Sequence, residues 1–235
     1  MGELWQKSAG ELAALIAAGD VSSREVVAAH YDRIAAVNSR VNAVVELLTD
    51  QAFAAADAAD ARRAAGEPLG AFHGVPFTVK TNIDYAGSAT HEGALALKDL
   101  IAPSDAPVVE RMKAAGGIPI GRTNMPDFGL RINTESSLCG PAHNPWDHSR
   151  TVGGSSGGEG AAIATGMSPI GLGNDIGGSV RNPAFANGIA SIKPGFGRIP
   201  AGNESSSINS PVSSQLMLAQ GVLARHVSDV RRGLE

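Results

Sequence analysis

Two glycine-serine segments and one lysine supply the residue types from which acyl-transfer chemistry is built. The first segment is Gly153-Gly154-Ser155-Ser156-Gly157-Gly158-Glu159-Gly160, and the second is Asp175-Ile176-Gly177-Gly178-Ser179-Val180-Arg181. A serine hydroxyl is a weak nucleophile and needs a base beside it. It also needs N–H donors aimed at the oxygen on which charge develops. Glycines just before a serine let the backbone approach a substrate and turn its amides inward. Ile176-Gly177-Gly178-Ser179 offers such a turn.

Lys80 is a candidate base. It ends the short run Gly74-Val75-Pro76-Phe77-Thr78-Val79, an unusual place for a free charge. Burial disfavours an ammonium and lowers its pKa. To act near neutrality the pKa must fall from about 10.4 to about 7, which corresponds to about 4 kcal/mol. An ion pair between Lys80 and Asp84 is the ordinary structural alternative.

Other chemistries fit less well. Gly-Ser runs serve as flexible linkers, but both segments lie between apolar stretches. A phosphate cradle of the Gly-x4-Gly-Lys-Ser/Thr type needs a lysine that neither run has. Gly171-x-Gly173 begins like a dinucleotide fingerprint and lacks the third glycine. The six histidines are His30, His73, His91, His143, His148 and His226, and none sits in a triad motif. His143 and His148 flank the turn Asn144-Pro145-Trp146-Asp147, a spacing that does not suit a helical metal pair. His30 reads as a packed helix-face residue. No metal is assigned.

The surrounding pattern says what positions these residues. Residues 8 to 66 read as helices, with a capping box at Ser22-Ser23-Arg24-Glu25 and an apolar face through Val26, Val27, His30, Tyr31 and Ile34. After Pro68 short β-branched runs alternate with helical ones. Strands are predicted at 74–80, 117–121 and near 169–172, and helices at 105–115 and, after a Gly-rich turn at 153–158, through about 166. This alternation predicts an α/β fold around a largely parallel or mixed sheet. Residues 201–215 read as a loop, and 222–234 as a restarted helix.

Composition bounds the function. The 235 residues are 43% hydrophobic and 18% charged, with a formal charge of −4. No basic run supports direct nucleic-acid binding. No apolar run approaches the roughly 20 residues of a membrane span. The N-terminus lacks the pattern of a secretory signal. Cys139 stands alone and cannot form an internal disulfide, so a reducing, cytoplasmic setting is expected.

Several ordered motifs together resemble the amidase signature family. They are Gly74-Val75-Pro76-Phe77-Thr78-Val79-Lys80-Thr81-Asn82-Ile83-Asp84, Thr123-Asn124-Met125-Pro126-Asp127-Phe128-Gly129, Thr134-Glu135, Asn144-Pro145-Trp146-Asp147, both glycine-serine segments, Lys193-Pro194 and Gly197-Arg198. The resemblance runs from about residue 8 to the end. It implies a mixed β-sheet core flanked by helices, with residues 1–70 as a helical segment packing on a core of 71–235. It also implies a Ser–cis-Ser–Lys triad. Ser179 is then the nucleophile, Ser155 the bridging serine with a cis bond before it, and Lys80 the base. The amides of Ile176, Gly177, Gly178 and Ser179 hold the oxyanion, and Ser156, Asp175 and Arg181 support the site. Phe128, Gly129 and Arg131 border the substrate channel. The implied reaction hydrolyses an amide through an acyl-enzyme, with no metal or cofactor.

The chain departs from the family pattern at Asn174, where a small hydroxyl residue is common, and at Arg131, where many members have a small residue. It is also about half the usual length, which implies that the C-terminal part of the family domain is missing. A homo-oligomer or a complementary C-terminal chain is then expected beside the small-molecule amide substrate. The alternatives to a simple amidase are the glutaminase-type A subunit of a tRNA-dependent amidotransferase and an inactive remnant.

Overall fold

The computed structural model describes residues 3–205 and 211–235. Two capping boxes start the N-terminal helices α1 (Ala9–Ala18) and α2 (Ser23–Val41). In each, a serine hydroxyl accepts from the N–H of the glutamate three residues on, and that glutamate accepts from the serine N–H. β1 (Val44–Leu47) and α3 (Thr49–Ala64) follow. The stretch 8–66 is therefore not all helix. β1 pairs antiparallel with β3 (Ile118–Thr123), so the N-terminal segment contributes a strand to the sheet. Its four residues lie between two longer helical patterns and are too few for periodicity to separate them.

β2 (Pro76–Lys80), α4 (Pro107–Ala114) and β3 come next. The hairpin strands β4 (Glu135–Ser136) and β5 (Gly140–Pro141) precede α5 (Gly157–Ala164) and β6 (Ile170–Asp175). The chain then forms α6 (Arg181–Asn187), β7 (Ala190–Ile192), α7 (Val212–Met217), β8 (Ala219–Ala224) and α8 (Val227–Leu234). The restarted helix expected from 222 begins only at Val227. Ala219–Ala224 is instead a strand buried throughout, and a short apolar run buried on both faces has no period to read. Within the expected 201–215 loop, 206–210 lie outside the described residues, and α7 (Val212–Met217) overlaps its end.

The main sheet has the order β1-β3-β2-β6-β8-β7. β3, β2 and β6 run parallel, while β8 pairs antiparallel with β6 and β7. The fold is mixed α/β. One apolar core joins α1, α4 and α8 to β2, β6 and β8. A second joins α2, α3 and α5 to β1 and β3. Alternation along β2 decides what faces what. Phe77 and Val79 enter the first core, so Thr78 and Lys80 face the opposite side, where α5 crosses. Gly171 and Gly173 of β6 leave room there. A Cβ on Gly171 would lie 1.8 Å from Glu159 Oε1, and one on Gly173 would lie 2.9 Å from Ser156 Oγ. These glycines serve close packing beneath α5, which explains a fragment of nucleotide-like motif with no nucleotide geometry.

Candidate active site

Lys80 is fully buried at the C-terminal end of β2. Its Nζ donates to Ser155 Oγ at 2.7 Å and to Asn174 Oδ1 at 2.9 Å. Burial lowers its pKa to about 7, although the carboxylates of Asp175, Glu159 and Glu92 pull the other way. Asp84 does not pair with it. That carboxylate accepts from Thr90 Oγ1 at 2.6 Å and from the Ser205 N–H at 2.8 Å. It ties two loops together instead.

Ser155 is buried, and the Gly154–Ser155 peptide bond is cis. The Ser156 N–H donates to the Ser179 carbonyl at 3.1 Å, which joins the two glycine-serine segments. The Ser156 hydroxyl has no partner among the described residues. Ser155 and the partly exposed Ser179 line one cavity of about 380 Å³. No hydrogen bond joins their hydroxyls in this conformation.

Asp175, at the end of β6, organises the turn before Ser179. It accepts from the Gly178 N–H at 2.7 Å, the Val180 N–H at 3.1 Å, and Arg181 Nη2 at 2.9 Å. Burial alone would raise its pKa, but these donors outweigh it and hold the carboxyl well below the usual range. Lys193 also lies 3.6 Å from Asp175. The Gly178 amide is therefore not free for an oxyanion, contrary to the expectation from sequence. The amides of Ile176, Gly177 and Ser179 have no hydrogen-bond partner among the described residues.

Phe128 and Gly129 line the same cavity. A Cβ on Gly129 would lie 3.3 Å from Ser155 Oγ, a tight contact at a position whose φ of +69° already favours glycine. Arg131 is outside the lining. Its guanidinium sits 3.9 Å from Glu135 with 64% of the side chain exposed.

The sequence pattern of the family described as Amidase matches residues 25–235. The chain belongs to the amidase signature family. It is similar to the indoleacetamide hydrolase of Bradyrhizobium diazoefficiens, with 55% identity over 234 residues, covering 100% of this chain and 45% of that protein. It is also similar to the A subunit of the glutamyl-tRNA(Gln) amidotransferase of Salinispora arenicola, with 47% identity, covering 84% of this chain and 40% of that protein. Among solved structures, a bacterial aryl acylamidase of the amidase signature family superposes with a TM-score of 0.89 at 33% identity. That match covers 97% of this chain and 46% of the other. The chain spans about half the length of the curated relatives it matches. None of the described helices is long and apolar enough to cross a membrane.

Within this amidase-family site, three residues had no assigned role from sequence. Asn174 stood out only as a departure from the family pattern, yet it is a direct partner of Lys80 and exchanges amide hydrogen bonds with Asn82. Glu159 is buried on α5, accepting from the hydroxyls of Thr78 and Thr123. Burial raises its pKa to about 7, against those hydrogen bonds and the nearby Lys80. Its signal was a carboxylate inside a glycine- and alanine-rich helix. Glu92 lines the cavity, and no motif in the sequence marked it.

Proposed function

We propose that the chain carries the catalytic set of an amide hydrolase, with Ser179 as nucleophile, Ser155 as relay and Lys80 as base. The observation that carries this reading is a buried lysine, its pKa near 7, within 2.7 Å of a serine that shares a cavity with a second serine. In its neutral form the Lys80 amine accepts the Ser155 proton. Ser155 takes the Ser179 proton once the Ser179 hydroxyl turns onto it. Ser179 Oγ then attacks the amide carbonyl, and the amides of Ile176, Gly177 and Ser179 receive the developing charge. The relay returns a proton to the leaving nitrogen, and water releases the acid from the acyl-enzyme.

The relative named indoleacetamide hydrolase aligns with the whole chain and supports a small arylalkyl amide as substrate. The test is labelling by a fluorophosphonate. Wild-type chain is expected to label at Ser179, Ser179→Ala to lose the label, and Lys80→Ala to slow it at least about 100-fold. Labelling that persists in Ser179→Ala removes the assignment. The amidotransferase relatives favour a second reading, a glutaminase-type subunit. Release of ammonia from glutamine in preference to arylalkyl amides supports that reading over the first.

A further inference from the structure

Glu92 is the one ionisable side chain among the described residues that line the Ser155–Ser179 cavity. The rest of the polar lining includes the neutral amides of Asn82, Asn174, Asn203 and Gln220. The Glu92 backbone is left-handed, with φ +49°, as is that of Phe128, with φ +55°. Such a conformation in a non-glycine residue persists only where the surroundings hold it, and it clusters at ligand clamps. The hold is visible on both sides. The Glu92 N–H donates to Thr81 O at 3.3 Å, and its carbonyl accepts from the Phe128 N–H at 2.8 Å. Gly93 behind it has no room for a side chain, since a Cβ would lie 2.4 Å from Met125 O.

The loop is fixed, and the carboxylate it presents acts on Lys80 through space without touching it. Among the described residues Glu92 accepts no side-chain hydrogen bond and forms no ion pair. It is partly buried, and burial raises its pKa while Lys80 opposes the rise. Its oxygens are not among the fully buried atoms that lack a partner, so the carboxylate stays open to a donor on a ligand in the cavity. The cations around the site are committed elsewhere. Lys80 holds Ser155 and Asn174, Arg181 and Lys193 face Asp175, and Arg131 leans on Glu135. Among the described residues, no lysine or arginine lines the cavity to meet a carboxylate on a ligand.

We propose that Glu92 determines specificity, accepting from a cationic or N–H-donating group on the amide substrate and excluding amides that carry a carboxylate. This rests on the hydrolase reading above. The test measures binding in the Ser179→Ala chain, where turnover does not interfere. Three probes are titrated by calorimetry: 4-(aminomethyl)phenylacetamide, phenylacetamide and 4-carboxyphenylacetamide. The ammonium probe is expected to bind at least about tenfold tighter than the carboxylate probe, a ratio that Glu92→Gln brings to within about threefold. An unchanged ratio in Glu92→Gln, tighter binding of the carboxylate probe, or binding of none of the three overturns the proposal. Fluorophosphonate labelling of the wild-type chain reports separately on the nucleophile. Labelling without charge selectivity rejects Glu92 alone, and selectivity without labelling rejects the hydrolase reading alone.

Discussion

The Ser156 N–H donates to the Ser179 carbonyl at 3.1 Å, so the two glycine-serine segments form one unit. Position in one segment is transmitted to the other through backbone, with no side chain needed between them. Asp175 then fixes the second segment from below by binding Gly178, Val180 and Arg181. The placement of Ser179 depends on that carboxylate.

Asp175→Asn should therefore loosen the turn. Hydrogen bonds to a buried charged acceptor contribute about 1.5–3 kcal/mol each, and a neutral amide keeps only part of this. We expect a loss of about 1–3 kcal/mol at pH 7 and at least a tenfold slower labelling of Ser179. The sign with pH follows from the depressed folded-state pKa. The stabilisation is fully present above the unfolded value of about 3.9 and is lost as pH falls through the lower folded value. Urea unfolding of both proteins should show a gap at pH 7 that narrows below about pH 4. Equal stability at pH 7 would remove the argument.

The proposed role of Lys80 as base predicts a pH dependence for the labelling of Ser179. Its folded pKa is lowered to about 7 by burial, and the neutral amine is the form that accepts a proton. Labelling of Ser179 should rise with pH through about 7 and level off above it. Lys80→Arg keeps its charge across this range and should stay at background throughout. A wild-type rate independent of pH between about 5 and 9 would contradict the assignment.

How much of this was legible follows from what each residue announces. Lys80, Ser155 and Ser179 come forward together only through the family resemblance, because a strand-end lysine also suits an ion pair and Gly-Ser runs also suit linkers. Strand β2 is readable from its short β-branched run between turn residues. The strands β1 and β8 are not, because one is four residues long and the other is buried on both faces. Gly178 looked like an amide donor to substrate, but which of several successive amides is free depends on a carboxylate three residues earlier turning back. Glu92 was silent because its place in the cavity comes from a left-handed turn held by Thr81 and Phe128, two contacts with no local sequence signature.

Arg131 offers a contrast. A cation near Phe128 and Gly129 invites the idea that it receives a substrate carboxylate. The side chain instead projects into solvent, 64% exposed, 3.9 Å from an equally exposed Glu135. Exposed pairs of this kind contribute about 0–1 kcal/mol. Arg131→Ala should change the unfolding free energy by less than about 0.5 kcal/mol and leave the relative hydrolysis of neutral and acidic amides as it was. A shift of more than about fivefold in that preference would restore Arg131 to the substrate channel.

Gly171 is where close packing bears most directly on the proposed site. An added methyl would fall 1.8 Å from Glu159 Oε1 and 2.5 Å from its Cδ. Glu159 cannot retreat, because its two oxygens accept from Thr78 and Thr123 and its side chain is fully buried. Gly171→Ala must displace α5, and α5 begins immediately after Ser155 and Ser156. Overpacking of this sort costs about 1–3 kcal/mol, and breaking the two hydroxyl contacts adds to it. We expect at least about 3 kcal/mol of lost stability, together with a loss of Ser179 labelling larger than unfolding alone explains. Glu159→Ala in the same chain opens space for the methyl. The double variant should therefore recover part of the stability lost in Gly171→Ala, and additive losses would show that the two side chains do not compete for the same volume.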